Sequence, residues 1–406
     1  MKLPSPLFIL IGNYPPDRQE SMIRFTNLLA DGLRSRGMTV EIVAPQPLLL
    51  GKNSHPGKDA GKWLGYADKW IFFPWRLRQL VRRRRREFGN DVRYHICDHS
   101  NAPYLAHLPR NRTVLTCHDV LAIRGALGYP EAYCAASRTG LLLQRWILRH
   151  LGQAQQIACV SGQTLRHLCE LTGHSRPQPG WRVVHNALNA EFSRLEPPRA
   201  ARILEATGVA PPFLLHVGSN LPRKNRRLLL ALCRQGSQSW QGNICFAGDP
   251  MDSMLAGEAR ALGILARIQC LPRPDHRTLC ALYNLAHAFV FPSFSEGFGW
   301  PLIEAQACGT PVITSNLEPL LEIAGGGALH ADPHDPKSFA AALESLKNPA
   351  TRQSLTEKGL RNIARFALAP MIDKYLELHQ LNRPAEVCPQ TETCCSNSSL
   401  SSCPGN

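Results

Sequence analysis

Acidic side chains are scarce in this 406-residue chain: 31 Asp and Glu stand against 46 Lys and Arg, a net charge of +15. Such a balance repels cationic partners and suits anionic ones, whether nucleotides, acidic phospholipid or nucleic acid. No apolar run approaches the ~20 residues that a membrane-spanning helix needs. The apolar stretch Pro6 to Gly12 is too short for a leader peptide, and Asn13-Tyr14-Pro15-Pro16-Asp17 follows at once, so it reads as a first β-strand. There is no Asp-x-Asp metal motif, and no cysteine spacing matches paired zinc ligands. Cysteine itself is not lacking, at 14 residues. Cys97, Cys117, Cys159, Cys245 and Cys270 lie in short apolar runs, where a thiol behaves as a small hydrophobe. Reduced thiols in a cytosolic protein are therefore expected, not disulfides.

The length exceeds what one core comfortably fills, so two domains are expected. Leu7 to Ile11 is a continuous apolar run of the buried parallel-strand type. Ser21 to Arg36 then has Phe25, Leu28, Leu29 and Leu33 at helical spacing, with Gly37 after its end. Further strands are read at Val40–Ala44, Tyr94–Cys97, Val114–Cys117, Ile157–Val160 and Arg182–His185. Pro197-Pro198 and Pro211-Pro212 bracket a polar interdomain region, after which alternation restarts. Strands follow at Phe213–Val217, Ile244–Ala247, Ile268–Leu271, Ala288–Phe291 and Val312–Thr314. Strands alternating with helices imply an α/β fold with parallel sheets covered on both faces. The expected division is 1–195, 196–382 and a disordered tail at 383–406, the tail carrying Cys388, Cys394, Cys395 and Cys403.

The most informative stretch is Glu296-Gly297-Phe298-Gly299-Trp300-Pro301-Leu302-Ile303-Glu304, in which seven residues separate two carboxylates. A strand precedes it and a helix continues to Cys308, where Gly309 and Pro311 end it. A strand, a glycine loop and a helix N-terminus present backbone N–H groups and a positive dipole end to an anion. The carboxylates can accept hydrogen bonds from hydroxyls. A nucleotide sugar, with a diphosphate between hydroxyl-bearing rings, suits such a site. These residues resemble the Glu-x7-Glu signature of the retaining GT-B glycosyltransferases of the group 1 class (family 4). The resemblance implies two Rossmann-like doubly wound domains facing a cleft, with the last helix, near Pro370 to Leu381, returning to the first domain. It also implies that Glu296 and the adjoining loop backbone at Phe298 and Gly299 hold the donor sugar and that Glu304 holds the ribose, with Leu302 a further donor-binding position.

His216 to Asn225 ends the first strand of the second domain with Gly218, followed by Arg223 and Lys224, which reads as two cations at a helix start beside a diphosphate. By the resemblance Lys224 holds the diphosphate, helped by Arg223. Where many relatives add an arginine this chain has Ser219. His118, with Asp119, follows a strand of the first domain, at the carboxyl edge where α/β sheets bind ligands. The resemblance places it at the reaction centre. The loop from Gly12 to Ser21 sits at the same edge. It has Gly12 where relatives have paired glycines, and Arg18 and Arg24 there suit an anionic acceptor. Ser161 reads as a helix N-cap, and Glu322 as structural.

Trp63, Trp70, Phe72, Phe73 and Trp75 lead into a dense arginine run within Arg76–Arg86. It fits either a solvated basic helix or one lying on an anionic membrane surface. No nucleic-acid module accompanies it. The sequence reading is thus a metal-independent hexosyltransferase with catalytic Glu296, His118 and Lys224 and no cofactor. Its donor is GDP-mannose or a UDP-hexose, its acceptor a glycan or lipid-linked molecule of surface-polysaccharide synthesis. It would be cytoplasmic, peripheral at the inner face of the membrane. The alternatives are a GT-B nucleotide-sugar epimerase or hydrolase, and a non-catalytic polyanion-binding protein.

Overall fold

The computed structural model describes residues 6–49, 60–234 and 240–381. Its strands form two six-stranded sheets. The first comprises β1 (Leu7–Ile11), β2 (Thr39–Val43), β3 (Val92–Ile96), β4 (Thr113–Cys117), β5 (Gln156–Cys159) and β6 (Trp181–Val183), in the order β2-β1-β3-β4-β5-β6. The second comprises β7 (Phe213–Gly218), β8 (Asn243–Gly248), β9 (Ile268–Pro272), β10 (Ala288–Phe291), β11 (Val312–Ser315) and β12 (Leu329–Ala331), in the order β12-β11-β10-β7-β8-β9. All pairings are parallel. The fold is α/β with two doubly wound sheets. The strands read from the sequence lie within two residues of the observed ones, and β12 is the addition. At three residues it is too short to show a hydrophobic period.

Helices cover both faces, so the central strands are buried throughout: all five residues of β1 and of β4 are buried. Phe8 and Leu10 pack with Phe25, Leu29 and Leu33 of the helix Glu20–Ser35. Ile9 and Ile11 point the other way, toward Tyr94, Ile96 and Leu77. The helix Leu368–Leu378, late in the chain, packs on the first sheet through Met371, Ile372 and Tyr375, and Tyr375 Oη lies 3.0 Å from Thr116 Oγ1. The proline-bracketed segment is not slack: within it the helix Pro197–Glu205 buries Ala200 and Leu204. The expected tail and its four cysteines lie outside the described residues.

Strand order changes direction once in each sheet, between β1 and β3 and between β7 and β10. Loops leaving two such strands diverge to opposite faces and open a crevice between them. Gly12 and Asp98 follow β1 and β3, while Gly218 ends β7 and Pro292 follows β10. The sequence-predicted site residues lie at these strand ends and loops, on the loop after β4 and on the helix that follows β10, with Arg24 inside the helix Glu20–Ser35.

Candidate active site

Beyond Gly218 the chain makes a 3₁₀ turn over Pro222–Lys224, which Asn225 ends in the left-handed region at φ 52°. The helix starts only at Arg227. This corrects the expectation of cations at a helix start. Pro222 opens a short turn, Asn225 leaves helical space, and Arg223 and Lys224 project before the helix instead of opposing its dipole.

Both cations converge on one carboxylate. Lys224 Nζ is 2.6 Å from Glu296 Oε1, and Arg223 Nη1 is 2.9 Å from Glu296 Oε2. Arg223 also donates to the Ser295 carbonyl at 2.9 Å. Lys224 is 7% exposed and Glu296 8%. Burial alone would raise the Glu296 carboxyl, but the Lys224 and Arg223 charges overcome it and hold it at about 2. Burial lowers the Lys224 ammonium against the pull of Glu296, whereas Glu296 raises the Arg223 guanidinium. Two cations against one anion leave the cluster with one positive charge in excess.

Gly299, at φ 105°, caps the helix Trp300–Ala307. A side chain there would be strained. Glu304, 4% exposed, accepts from Tyr283 Oη at 2.9 Å. Burial raises its carboxyl, and the Tyr283 bond and the Arg24 charge oppose the rise. Tyr283 comes from the helix His276–Leu285 and carries no sequence signal tying it to Glu304. Phe298 and Leu302 are 5% and 0% exposed, and both side chains belong to the core. The Leu302 amide already donates to Gly299 O at 3.0 Å. Leu302 is the third residue of the helix, and its side chain packs in the core.

His118 is 6% exposed, with Nε2 3.0 Å from Cys97 O and its ring edge-on to Phe25. Burial lowers its pKa, so the ring is neutral. A carbonyl can only accept, which puts the proton on Nε2 and leaves Nδ1 as an acceptor. Gly12 is buried behind this edge, its amide bonded to Val43 O at 2.8 Å. Arg18 is exposed at φ 51° and joins none of the bonds around Glu296. Asn13 anchors the loop, donating to Asp98 at 2.5 Å and accepting from Asn101 at 3.0 Å. Beside them, burial would lower the His99 imidazole, but Asp98 lifts it to about 10.

The two halves meet at the glycine loop. Ser161 Oγ donates to Gly297 O at 2.8 Å, and Thr164 Oγ1 does so at 3.3 Å. Ser161 also caps its own helix, as its sequence implies. Glu322 accepts from Gly162 N at 2.9 Å and His185 Nε2 at 2.6 Å. Trp300 Nε1 donates to Ala187 O at 2.9 Å. Sequence reasoning missed these cross-contacts because partners more than 110 residues apart leave no local pattern. A Cβ at Gly297 would collide with the His118 carbonyl oxygen. Gly297→Ala is therefore expected to lower turnover by about a hundredfold through misplacement of the loop. Nucleoside-diphosphate affinity, set on the second half, should hardly change. Kinetics paired with calorimetry would check this, and full activity would mean that the halves need not meet here.

Among the described residues, no three His, Cys, Asp or Glu side chains are grouped to hold a metal ion. The family model for glycosyl transferases group 1 matches residues 205–361, and that for glycosyltransferase family 4 matches residues 23–192. The chain belongs to the group 1 glycosyltransferases of family 4, with the GT-B fold. It is 27% identical over 339 residues to O-antigen chain mannosyltransferase B of Escherichia coli, covering 79% of this chain and 83% of that protein. It is 29% identical over 252 residues to the D-inositol 3-phosphate glycosyltransferase of Rhodococcus opacus (strain B4), spanning 57% of this chain and 56% of that relative. Among solved structures, a sucrose-phosphate synthase from Thermosynechococcus elongatus superposes with a TM-score of 0.69 at 19% identity, over 92% of this chain and 98% of the other. Anabaena HepE, solved in complex with UDP and glucose, does so with a TM-score of 0.66 at 16% identity, over 92% and 98%. At such identities these superpositions establish the fold.

Proposed function

We propose that this glycosyltransferase moves a hexose, with retention at the anomeric carbon and without a metal ion, from a nucleotide-diphosphate sugar to a glycan or lipid-linked acceptor of surface-polysaccharide assembly. The observation that carries the reading is the buried Lys224–Glu296–Arg223 cluster at the β7/β10 switch point, against the His118 backbone of the other half. Likeness to an O-antigen mannosyltransferase makes GDP-mannose the first donor to test, ahead of UDP-hexoses.

In this reading the excess positive charge receives the diphosphate. Glu296 exchanges its cations for sugar hydroxyls as the phosphates take its place, and Glu304, set by Tyr283, meets the ribose. The Nδ1 acceptor of His118 faces the sugar. The acceptor hydroxyl attacks from the side the diphosphate leaves, and its proton passes to the departing phosphate. No strong base is needed. The demand is stabilisation of the leaving charge, which Lys224 and Arg223 supply in a site shielded from water. No helix of the described residues is long and apolar enough to cross a membrane, and nucleotide-sugar chemistry would place the protein in the cytoplasm.

A thermal-shift panel of GDP, UDP, ADP and their sugars, with and without EDTA, tests this. One diphosphate series should stabilise the fold, equally with the chelator present. Stabilisation by none would remove the cluster as a donor site, and stabilisation lost with EDTA would remove metal independence.

A further inference from the structure

The cysteines of the described residues are free thiols. Two of them meet between the helices His276–Leu285 and Trp300–Ala307: Cys280 lies in the first, and Cys308 caps the second. Their sulfurs are 3.9 Å apart, and the residues are 6% and 4% exposed. A disulfide has its sulfurs ~2.05 Å apart, so the pair stands about 2 Å from bonding distance. The cover over Cys280 is irregular chain, with Ser193 O 3.7 Å from its Sγ and Asn284 Nδ2 bonded to both. Cys117 and Cys159 are register partners on β4 and β5, but at 0% exposure no reagent reaches them.

The same two helices carry the hydrogen bond from Tyr283 to Glu304. Tyr283 lies three residues beyond Cys280 and Glu304 four before Cys308, whose amide donates to the Glu304 carbonyl at 3.2 Å. Such spacings fall on one helix face. The sulfur pair and the tyrosine–carboxylate pair are thus successive rungs between one pair of helices. A packed interior transmits a shift at one rung to the next.

Cys280 is the more reactive thiol. The hydrogen bond from Cys308 lowers its pKa most, burial opposes this, and His276 and Arg199 add to the lowering, which leaves it at about 6. The same bond, with burial, pushes the Cys308 thiol up. At neutral pH the pair is therefore a thiolate beside a thiol, a nucleophile with its resolving partner.

We propose that Cys280 and Cys308 form a peroxide-responsive dithiol that closes to a disulfide and weakens the ribose end of the donor site. The Cys280 thiolate attacks one oxygen of hydrogen peroxide, the O–O bond breaks, and hydroxide leaves to take up the proton that Cys280 had released. The Cys308 sulfur then attacks the sulfenic sulfur of Cys280. The S–O bond breaks, and its hydroxide departs as water with the Cys308 proton. Two thiols lose two electrons and two protons, and the peroxide becomes two waters. Closure draws the helices together at one rung and displaces Glu304 from Tyr283 at the next. The effect on the donor rests on the ribose role proposed for Glu304, whereas disulfide formation does not.

The full chain treated with a small excess of hydrogen peroxide should yield a Cys280–Cys308 peptide link after its free thiols are blocked with N-ethylmaleimide. Calorimetry should find its nucleoside diphosphate bound about tenfold more weakly, the scale of one charge-assisted hydrogen bond. Dithiothreitol should restore the affinity. Cys280→Ser and Cys308→Ala should bind as the reduced parent does and keep that affinity through peroxide. A pair left unlinked overturns the proposal. So does a link that leaves affinity unchanged, or a loss of affinity that persists in both variants and so belongs to other thiols. A reduced parent that binds no nucleoside diphosphate would instead remove the donor reading, while a mapped link would still support the dithiol.

Discussion

Glu296→Gln is expected to bind nucleoside diphosphate as tightly as the parent or a few-fold tighter, while transfer falls by about two to three orders of magnitude. In the unliganded site this carboxylate is shared by Lys224 and Arg223. The amide keeps the shape and removes the charge, so the cluster goes from one excess positive charge to two. A diphosphate then no longer competes with a carboxylate for its cations. The reaction loses the group that orients the sugar. Unpaired buried cations also cost stability, about 2–4 kcal/mol, which saturating diphosphate should largely restore.

The acid side gives an independent check of the same cluster. The folded carboxyl is held at about 2 against a usual 4.5. Between those values the unfolded chain binds more protons than the folded one. The contribution of Glu296 is therefore complete above the usual value and is lost as pH falls through that window. Glu296→Gln should remove this part of the acid sensitivity. Calorimetry, single-turnover kinetics and melting at several pH values together decide the matter. Diphosphate affinity falling in step with transfer would make Glu296 a support for the phosphate loop, not a ligand of the sugar.

Lys224→Ala should reduce turnover by about a thousandfold, the scale seen when one preorganised donor to a developing charge is lost. Its effect on folding should be much smaller, because Arg223 keeps its bonds to Glu296 and to the Ser295 carbonyl. Lys224→Arg should not rescue activity. The ammonium sits 4.9 Å from the Phe291 ring centroid at 7% exposure, and a planar guanidinium, bulkier and with its donors fixed in a fork, does not reproduce that compact point charge. Steady-state kinetics with the preferred donor would read both variants. A Lys224→Ala enzyme as active as the parent would end the assignment of the leaving diphosphate to this residue.

The strands were legible because burial on both faces writes itself into short continuous apolar runs, as at Leu7–Ile11 and Ala288–Phe291. The glycine loop and its two glutamates were legible because strand, turn and helix are contiguous there, and the chemistry depends on that spacing. Arg223 and Lys224 were legible as cations but misplaced onto a helix start, since the left-handed Asn225 has only a weak local signal. Ser161 was legible as a cap and not as a donor to Gly297, 136 residues away.

By itself, then, the sequence determined the alternation of strands and helices, the two acidic positions of the donor loop and the positive charge that suits a diphosphate, since each depends on neighbours along the chain. Only the tertiary structure decided that Glu296 is held by two cations, that Tyr283 sets Glu304, and that Phe298 and Leu302 face the core. Those outcomes depend on which strand ends the sheet order brings together and which side chains neighbouring helices cover. A chain read in one dimension carries no record of such distances.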